Sequence, residues 1–366
     1  MTKRDFSIDR RRALGLAGAG VAGTLAAPAI ARAQETHNWT MAMAWPSGAP
    51  GVGVNAERCA RMIEAMSGGR IQITLYGAGE LVPPFEVFDA VAEGTAQLGH
   101  GAPYFWQGKD QVFHFFAGVP FGFTPQELSG WLYFGGAQEF WERAYAPFGV
   151  VPFYAGSSGP QAGGWFANPI ETVDDLQGLN MRIAGLGGEV MRRLGVNTVM
   201  LPPGEIYSAL EAGTIDAAEW VGPWNDLAFG LYRVVNYYYM PAFHEFGPAL
   251  ELMVNQDAYE ALDDDLKEIV KRAAMASATE SFADFTYHNA DSLQPLLDEG
   301  VELRFWSDEI ENALAEQSEI VLAEVAETSD LARETYESFI DYRAKANRFS
   351  QAMDRRVYEM RAKLGS

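Results

Sequence analysis

The sequence predicts an α/β protein of two similar lobes followed by a long C-terminal helix, and three observations carry that reading. Between Asn180 and Trp224 the apolar period switches repeatedly, so that Met181–Ala184, Val196–Leu201 and Ile215–Val221 read as short strands, and Gly187–Leu194 and Pro203–Glu211 as helices. Residues 39–99 repeat the same β-α-β-α-β grammar. After Asn255 the pattern turns helical, broken by one strand. Units of this kind bind ligands at the carboxyl ends of their strands, where helix N-termini and strand-end side chains converge.

The first residues predict a leader rather than a lobe. Asp9-Arg10-Arg11-Arg12-Ala13-Leu14 is a twin-arginine entry to a charge-free apolar run, and Ala31-Arg32-Ala33 before Gln34 fits a cleavage site, so residues 1–33 are expected to be a twin-arginine-type signal peptide. The full chain has a formal charge of −22; removing 1–33 takes away six of its 27 basic and two of its 49 acidic residues and leaves −26. A charge of that sign excludes nucleic acid and anionic membrane surfaces as partners. The lone Cys59 makes no intrachain disulfide. No later stretch has the roughly eighteen uncharged apolar residues of a membrane span, and the product is expected to be soluble in the periplasm.

Trp39–Trp45 reads as a strand, and the loop from Pro46 to Val54 leads into a helix over Asn55–Met66. Arg70–Tyr76 alternates with Ile71, Ile73 and Leu75 on one face. Pro83-Pro84 opens a helix with the stripe Phe85, Phe88, Val91 and Ala92, and Thr95–Gly99 is a short strand. The aromatics crowded between His100 and Tyr154 are mostly core. Tyr104 differs by position, because it follows a strand end through a Gly-Ala-Pro turn; ligand contact and core packing are equally open to it.

Val150–Ala155 is a strand, and the glycine-rich turn Gly156–Gln161 leads to another, Ala162–Phe166. Such a step suits a crossing between lobes. Val234–Met240 is a strand, and His244–Pro248 turns into Leu250–Val254, the return crossing. The expected boundaries are 34–154 with about 246–280 for one lobe, and 155–245 with about 281–330 for the other. Leu266, Ile269, Val270 and Ala273 form a helical stripe, Val301–Trp306 a strand, and Asp308–Thr328 a helix. Residues 331–366 hold a last helix, Leu331–Lys363, which at 1.5 Å per residue would run about 50 Å. Its apolar positions from Phe339 through Phe349, Met353, Val357 and Met360 to Leu364 step by three or four, a seam suited to dimerisation.

An enzyme needs a nucleophile, a tuned acid–base pair or a catalytic metal. The chain has no H-E-x-x-H, C-x-x-C, G-x-S-x-G or P-loop, and Gly185-Leu-Gly187-Gly188 lacks the last glycine of a dinucleotide loop. None of the five histidines, His37, His100, His114, His244 and His288, stands at helical ligand spacing from another; each is expected to be core or surface. What remains is a set of oxygen donors and one cation at loops or strand ends: Gln161, Arg182, Glu219, the carbonyl of Trp220, and Glu245.

A charge inside a buried strand needs a partner, and for Arg182 and Glu219 that partner is expected to be the ligand. Arg182 offers a fork that grips a carboxylate with two hydrogen bonds. At about 4 Å and an effective dielectric near 20 one such pair is worth roughly 4 kcal/mol before desolvation. Surface charges beyond the ~8 Å Debye length are screened, so the chain's negative field does not exclude an anion. Glu219 and Glu245 would repel that anion unless a cation lies among them; Ca²⁺ or Na⁺ suits such oxygen donors. The other reading is that both glutamates are merely salt-bridged or solvated.

At these residues the chain resembles the extracytoplasmic solute-binding proteins of TRAP transporters, the DctP-like family, and within it the 2-oxo-acid- and lactate-binding members. The resemblance rests on GELVPPFEVFDAVAEGTAQLGHGAPYFWQGKD (79–110), QAGGWF (161–166), DLQGLNMRIAGLGGEVMRRLGV (175–196) and GEIYSALEAGTIDAAEWVGPW (204–224). It implies a periplasmic-binding-protein-like, type II-like fold whose lobes close on a small monocarboxylate such as pyruvate or lactate. It assigns Arg182 to the ligand carboxylate, Tyr104 and Trp220 to the pocket wall, and Gln161, Glu219, the Trp220 main chain and Glu245 to a Na⁺ or Ca²⁺ ion that also touches the ligand. It further implies TRAP membrane subunits as partners and a homodimer formed through the C-terminal helix. Trp224-Asn225-Asp226 and Phe243-His244 depart from the family pattern and leave the particular acid open. Two other classes remain beside this one: a periplasmic sensor or chaperone of the same fold, and a hydrolase using Glu219 and Glu245 as its carboxyl pair.

Overall fold

The computed structural model describes residues 35–364, so the twin-arginine segment and its cleavage site lie outside the described residues. β1 (His37–Met43) pairs in parallel with β2 (Ile71–Tyr76) through α1 (Val52–Met66), and with β3 (Leu98–Gly101) through α2 (Val87–Ala92). α3 (Pro125–Phe134) starts at a capping box, in which the Thr124 hydroxyl accepts from the Glu127 N–H and the Glu127 carboxylate accepts from the Thr124 N–H. α4 (Ala137–Tyr145) then leads to β4 (Val150–Ser157).

Past Ser157 the chain builds a second sheet from β5 (Gly164–Phe166), β6 (Asn180–Arg182), α5 (Gly185–Arg193), β7 (Asn197–Val199), α6 (Ile206–Glu211), β8 (Ala217–Ala218), α7 (Pro223–Phe229) and β9 (Tyr237–Tyr239). β10 (Ala249–Asn255) returns to the first sheet, antiparallel to both β3 and β4. After α8 (Gln256–Glu260) and α9 (Asp264–Asp298), β11 (Glu302–Arg304) joins the edge of the second sheet beside β9. α10 (Asp308–Ala326), α11 (Asp330–Ala352) and α12 (Asp354–Arg361) complete the chain. The strand orders are β2-β1-β3-β10-β4 and β11-β9-β5-β8-β6-β7. Each sheet receives strands from distant parts of the sequence, which is how the two predicted crossings are realised.

Burial follows position in the sheet. The edge strand β2 alternates, with Gln72 and Thr74 exposed, whereas the inner strand β10 is buried from Ala249 to Val254. Among the predicted core aromatics Phe113, Phe116, Trp131 and Trp141 are fully enclosed, while Phe134 is exposed.

Four features differ from the sequence expectation. The Ile215–Val221 strand keeps only Ala217–Ala218 in the ladder, because the Glu219 main chain turns to Arg182: its N–H donates to the Arg182 carbonyl at 2.9 Å, and its carbonyl accepts from Arg182 Nη1 at 2.6 Å. α7 stands where the sequence reading assigned no element; Pro223 opens it and Gly230, at φ 73°, ends it. α9 runs unbroken through the lobe boundary expected near residue 280, packing on β4 and α1 and then on α7. The last helix is not continuous: it breaks at Met353 (φ −114°, ψ −70°), so α11 spans about 35 Å. Phe339 lies buried against Phe115, Phe123 and Trp131, and Ser350 Oγ still reaches Glu127 at 2.7 Å. Beyond it Met353, Val357, Met360 and Leu364 are exposed, as is Phe349 one residue before.

The buried strand β10 carries one acid, Glu251, which accepts from Trp106 Nε1 at 2.5 Å and is fully enclosed. Burial pushes its carboxyl from 4.5 up to about 8. The folded state therefore binds the extra proton between those values, and the stability this contributes is complete below about pH 4.5 and is lost as pH climbs towards 8. Glu251→Gln keeps an acceptor and removes the ionisation. Urea unfolding between pH 5 and 8 is expected to decline in the parent by up to about 1.4 kcal/mol per pH unit from this group, and less steeply in the variant. Parallel declines would show that Glu251 is not their source.

Candidate functional site

Three backbone segments meet behind the ends of β5, β6 and β8. The Ala162 N–H donates to the Val221 carbonyl at 2.9 Å, the Gln161 N–H to the Glu245 carbonyl at 3.1 Å, and the Ala242 N–H to the Gln161 carbonyl at 2.8 Å. These bonds lock the glycine-rich turn, the Glu219–Val221 strand end and the 242–245 turn together. All six residues singled out in the sequence, Tyr104, Gln161, Arg182, Glu219, Trp220 and Glu245, are buried, and the contacts below join them into one centre.

Arg182 ends β6 and is 1% exposed. Its Nη1 donates to Glu219 Oε2 at 2.8 Å and to the Glu219 carbonyl at 2.6 Å, its Nε donates to the Leu201 carbonyl at 3.3 Å, and the guanidinium lies 5.6 Å from the Trp220 ring centroid. The expectation that each charge would find its partner in a ligand is thus corrected: the first partner of Arg182 is Glu219, because β6 and β8 are neighbours and Arg182 pairs with Ala218 in the ladder. Loss of either charge would leave the other buried and uncompensated.

Glu245 faces this pair from the 242–245 turn. A Cβ on residue 118 would lie 2.6 Å from Glu245 Cγ, so Gly118 is what allows the carboxylate to sit there. The Tyr104 phenol lies beside it. Burial, and then the facing Glu219 charge, push the Glu245 carboxyl well above the usual carboxylate range. Burial and the same two glutamates push the Tyr104 phenol up. Gln161 Nε2 donates to Ser158 Oγ at 2.8 Å, whereas Gln161 Oε1 and Glu245 Oε2 are enclosed without any hydrogen-bond donor. Two enclosed oxygens without donors beside a second carboxylate are the donor set that a hard cation satisfies, and the residues present fit Na⁺ or Ca²⁺.

Two residues of this centre were not recognised in the sequence. His244, expected to be core or surface, is buried with Nε2 3.8 Å from Glu219 Oε1; Glu219, His244 and Glu245 each offer a ligating atom within 4.8 Å of the others. Its position next to Glu245 on a turn was the available signal. Asp226, on the unforeseen α7, accepts from Tyr238 Oη at 2.7 Å, Trp165 Nε1 at 2.9 Å and the Val221 N–H at 3.3 Å. That N–H shares a peptide plane with the Trp220 carbonyl, so Asp226 fixes the direction in which the carbonyl points. Burial drives the Asp226 carboxyl up to about 7. A separate groove of about 520 Å³, lined by Gln107, His114, Ile183, Val199 and Val325 among others, includes none of these residues except through neighbours in sequence.

A scaffold of two α/β sheets with a buried, oxygen-rich centre at its strand ends is an architecture of solute-binding proteins. The chain matches the model of the bacterial extracellular solute-binding proteins of family 7 (DctP) over residues 41–329, and it belongs to that family, the solute receptors of TRAP transporters. It is 42% identical over 305 residues to a monocarboxylate 2-oxoacid-binding periplasmic protein of Nostoc sp., covering 83% of this chain and 84% of the relative. A solved TRAP periplasmic solute-binding protein from Pseudoalteromonas atlantica with bound sodium and pyruvate is 35% identical, with a TM-score of 0.86 over 89% of this chain and 99% of that one. Another, from Bordetella bronchiseptica, is a mixed-occupancy dimer with copurified calcium and picolinate at one site against an apo site; it is 30% identical, with a TM-score of 0.88 over 90% and 98% of the two chains. No described helix is long and apolar enough to cross a membrane.

The Arg182–Glu219 geometry makes a stability prediction. Arg182→Met strands the Glu219 carboxylate and is expected to lower the unfolding free energy by about 3–5 kcal/mol, while Arg182→Lys, which keeps the charge, costs clearly less. Denaturant titrations giving equal losses would contradict the pairing.

Proposed function

We propose that this chain captures a small monocarboxylate, a 2-oxo acid such as pyruvate or a 2-hydroxy acid such as lactate, together with Na⁺ or Ca²⁺, and delivers it in the periplasm to the membrane subunits of a TRAP transporter. The observation that carries this reading is the enclosure of Arg182 beside two oxygens without donors, Gln161 Oε1 and Glu245 Oε2. The guanidinium is held by the Glu219 and Leu201 carbonyls, so its fork is oriented before a ligand arrives and little ordering is left for binding. Arg182 takes the ligand carboxylate, and Tyr104 and Trp220 line the pocket. Gln161, Glu219, the Trp220 carbonyl and Glu245 hold the cation, and Gln161 touches the ligand as well. A cation bound there supplies the positive charge that lets two glutamates and a third carboxylate share one buried space.

The sequence relative and the pyruvate-bound neighbour support the class of ligand. A hydrolase reading leaves the buried Arg182, paired with Glu219, without a role. Titration calorimetry with pyruvate, lactate, acetate and succinate in the presence of Ca²⁺ tests the proposal. Pyruvate or lactate is expected to bind and to be recovered unchanged, and Arg182→Lys to weaken it by roughly 2–4 kcal/mol. Failure of every monocarboxylate, or affinity within twofold in the variant, would overturn it.

We further propose a homodimer through the C-terminal helices, with Phe349, Met353, Val357 and Met360 as the buried seam. All four are at least half exposed on this chain, and the Bordetella relative is a dimer. Truncation after Ala352 leaves Phe339 and the core intact. Light scattering is expected to show a dimer converted to a ligand-binding monomer; a parent that is monomeric at micromolar concentration would end the idea.

A further inference from the structure

We propose that His244 is a nitrogen ligand of the cation in this site, and that the site therefore also takes a divalent ion able to accept imidazole, such as Mn²⁺ or Zn²⁺. The inference rests on the binding reading above and extends its cation.

His244 is 1% exposed, and neither Nδ1 nor Nε2 has a hydrogen-bond partner. A neutral imidazole has one donor and one acceptor nitrogen, and enclosing both without partners costs several kcal/mol by rough estimate. The ring is nonetheless held in place. A Cβ on residue 187 would lie 2.7 Å from His244 Cβ, so Gly187 is packed directly against it, and the Phe243 ring lies 5.1 Å away on its other neighbour. Its Nε2 faces Glu219 Oε1 at 3.8 Å, too far for a hydrogen bond, while Arg182 occupies the other oxygen of the same carboxylate.

Two donors each about 2.4 Å from a shared ion and at right angles stand about 3.4 Å apart, and somewhat farther at wider angles. The 3.8 Å separation therefore suits two ligands of one ion better than a direct contact. Glu245 completes the group, with all three ligating atoms within 4.8 Å. Imidazole is a good ligand for first-row divalent ions and a poor one for Na⁺, which prefers oxygen alone. Charge agrees: Glu219, Glu245, Arg182 and one bound carboxylate leave two negative charges, which a divalent ion cancels and Na⁺ does not.

The test uses the whole protein loaded with Mn²⁺ in the absence of any acid. Pulsed electron paramagnetic resonance should show one directly coupled nitrogen, and growth on ¹⁵N-histidine should convert the ¹⁴N coupling to ¹⁵N without any substitution. Calorimetry should show His244→Asn, which retains an oxygen donor, weakening Mn²⁺ and Zn²⁺ about tenfold or more while changing Ca²⁺ less than threefold. Bound Mn²⁺ without nitrogen coupling would overturn the assignment, as would equal losses for all three ions. Binding of Ca²⁺ without nitrogen coupling to Mn²⁺ removes only His244; binding of no cation at all removes the underlying reading of the site.

Discussion

Glu219 and Glu245 bring two carboxylates into one buried space that holds a single guanidinium, and the rest of the centre is arranged around that surplus of negative charge. Arg182 neutralises Glu219 directly. Burial and the facing Glu219 charge drive the Glu245 carboxyl upward. The Gln161 amide adds no relief, because it donates to Ser158 while Oε1 is enclosed without a donor. A cation resolves this conflict at low cost because every donor is already in place, and an anion can then join without adding unpaired charge.

The scaffold makes this tolerable by building the centre from strand ends. β6 and β8 deliver Arg182 and Glu219 side by side, and the short ladder at β8 ends at Ala218, where the Glu219 N–H still donates to the Arg182 carbonyl. Asp226 behind them ties Trp165, Tyr238 and the Val221 N–H into one buried hydrogen-bonded unit. The glycine-rich turn ending at Gln161 and the turn holding Glu245 come from two of the crossings between sheets, so the centre is assembled where the sheets exchange chain. A change in how the sheets sit would be felt first at these residues.

Much of this was legible from single residues. Arg182 and Glu219 stood out because charge interrupts otherwise apolar strands; Gln161 and Glu245 because they lie in the turns that cross between lobes; Tyr104 because it follows a strand end. The family resemblance then gave these positions their expected roles. His244 was not legible, because one histidine carries no spacing signal and its meaning comes from proximity to Glu219 across the fold. Asp226 was hidden for a related reason, since a seven-residue helix is too short to show a period. The break at Met353 has no glycine or proline to mark it; it falls where contact between the helix and the body of the protein ends.

The account stands on the coupling between cation and carboxylate, which thermal unfolding measures directly in four states of the parent protein: chelated, with Ca²⁺, with pyruvate, and with both. Each ligand that binds the folded state alone raises the unfolding temperature by mass action, and two that share one charge balance raise it together by more than their separate shifts sum to. The account predicts that pyruvate gives little or no shift after exhaustive chelation and removal of sodium, and a large one with Ca²⁺. An equal pyruvate shift in both conditions would contradict it.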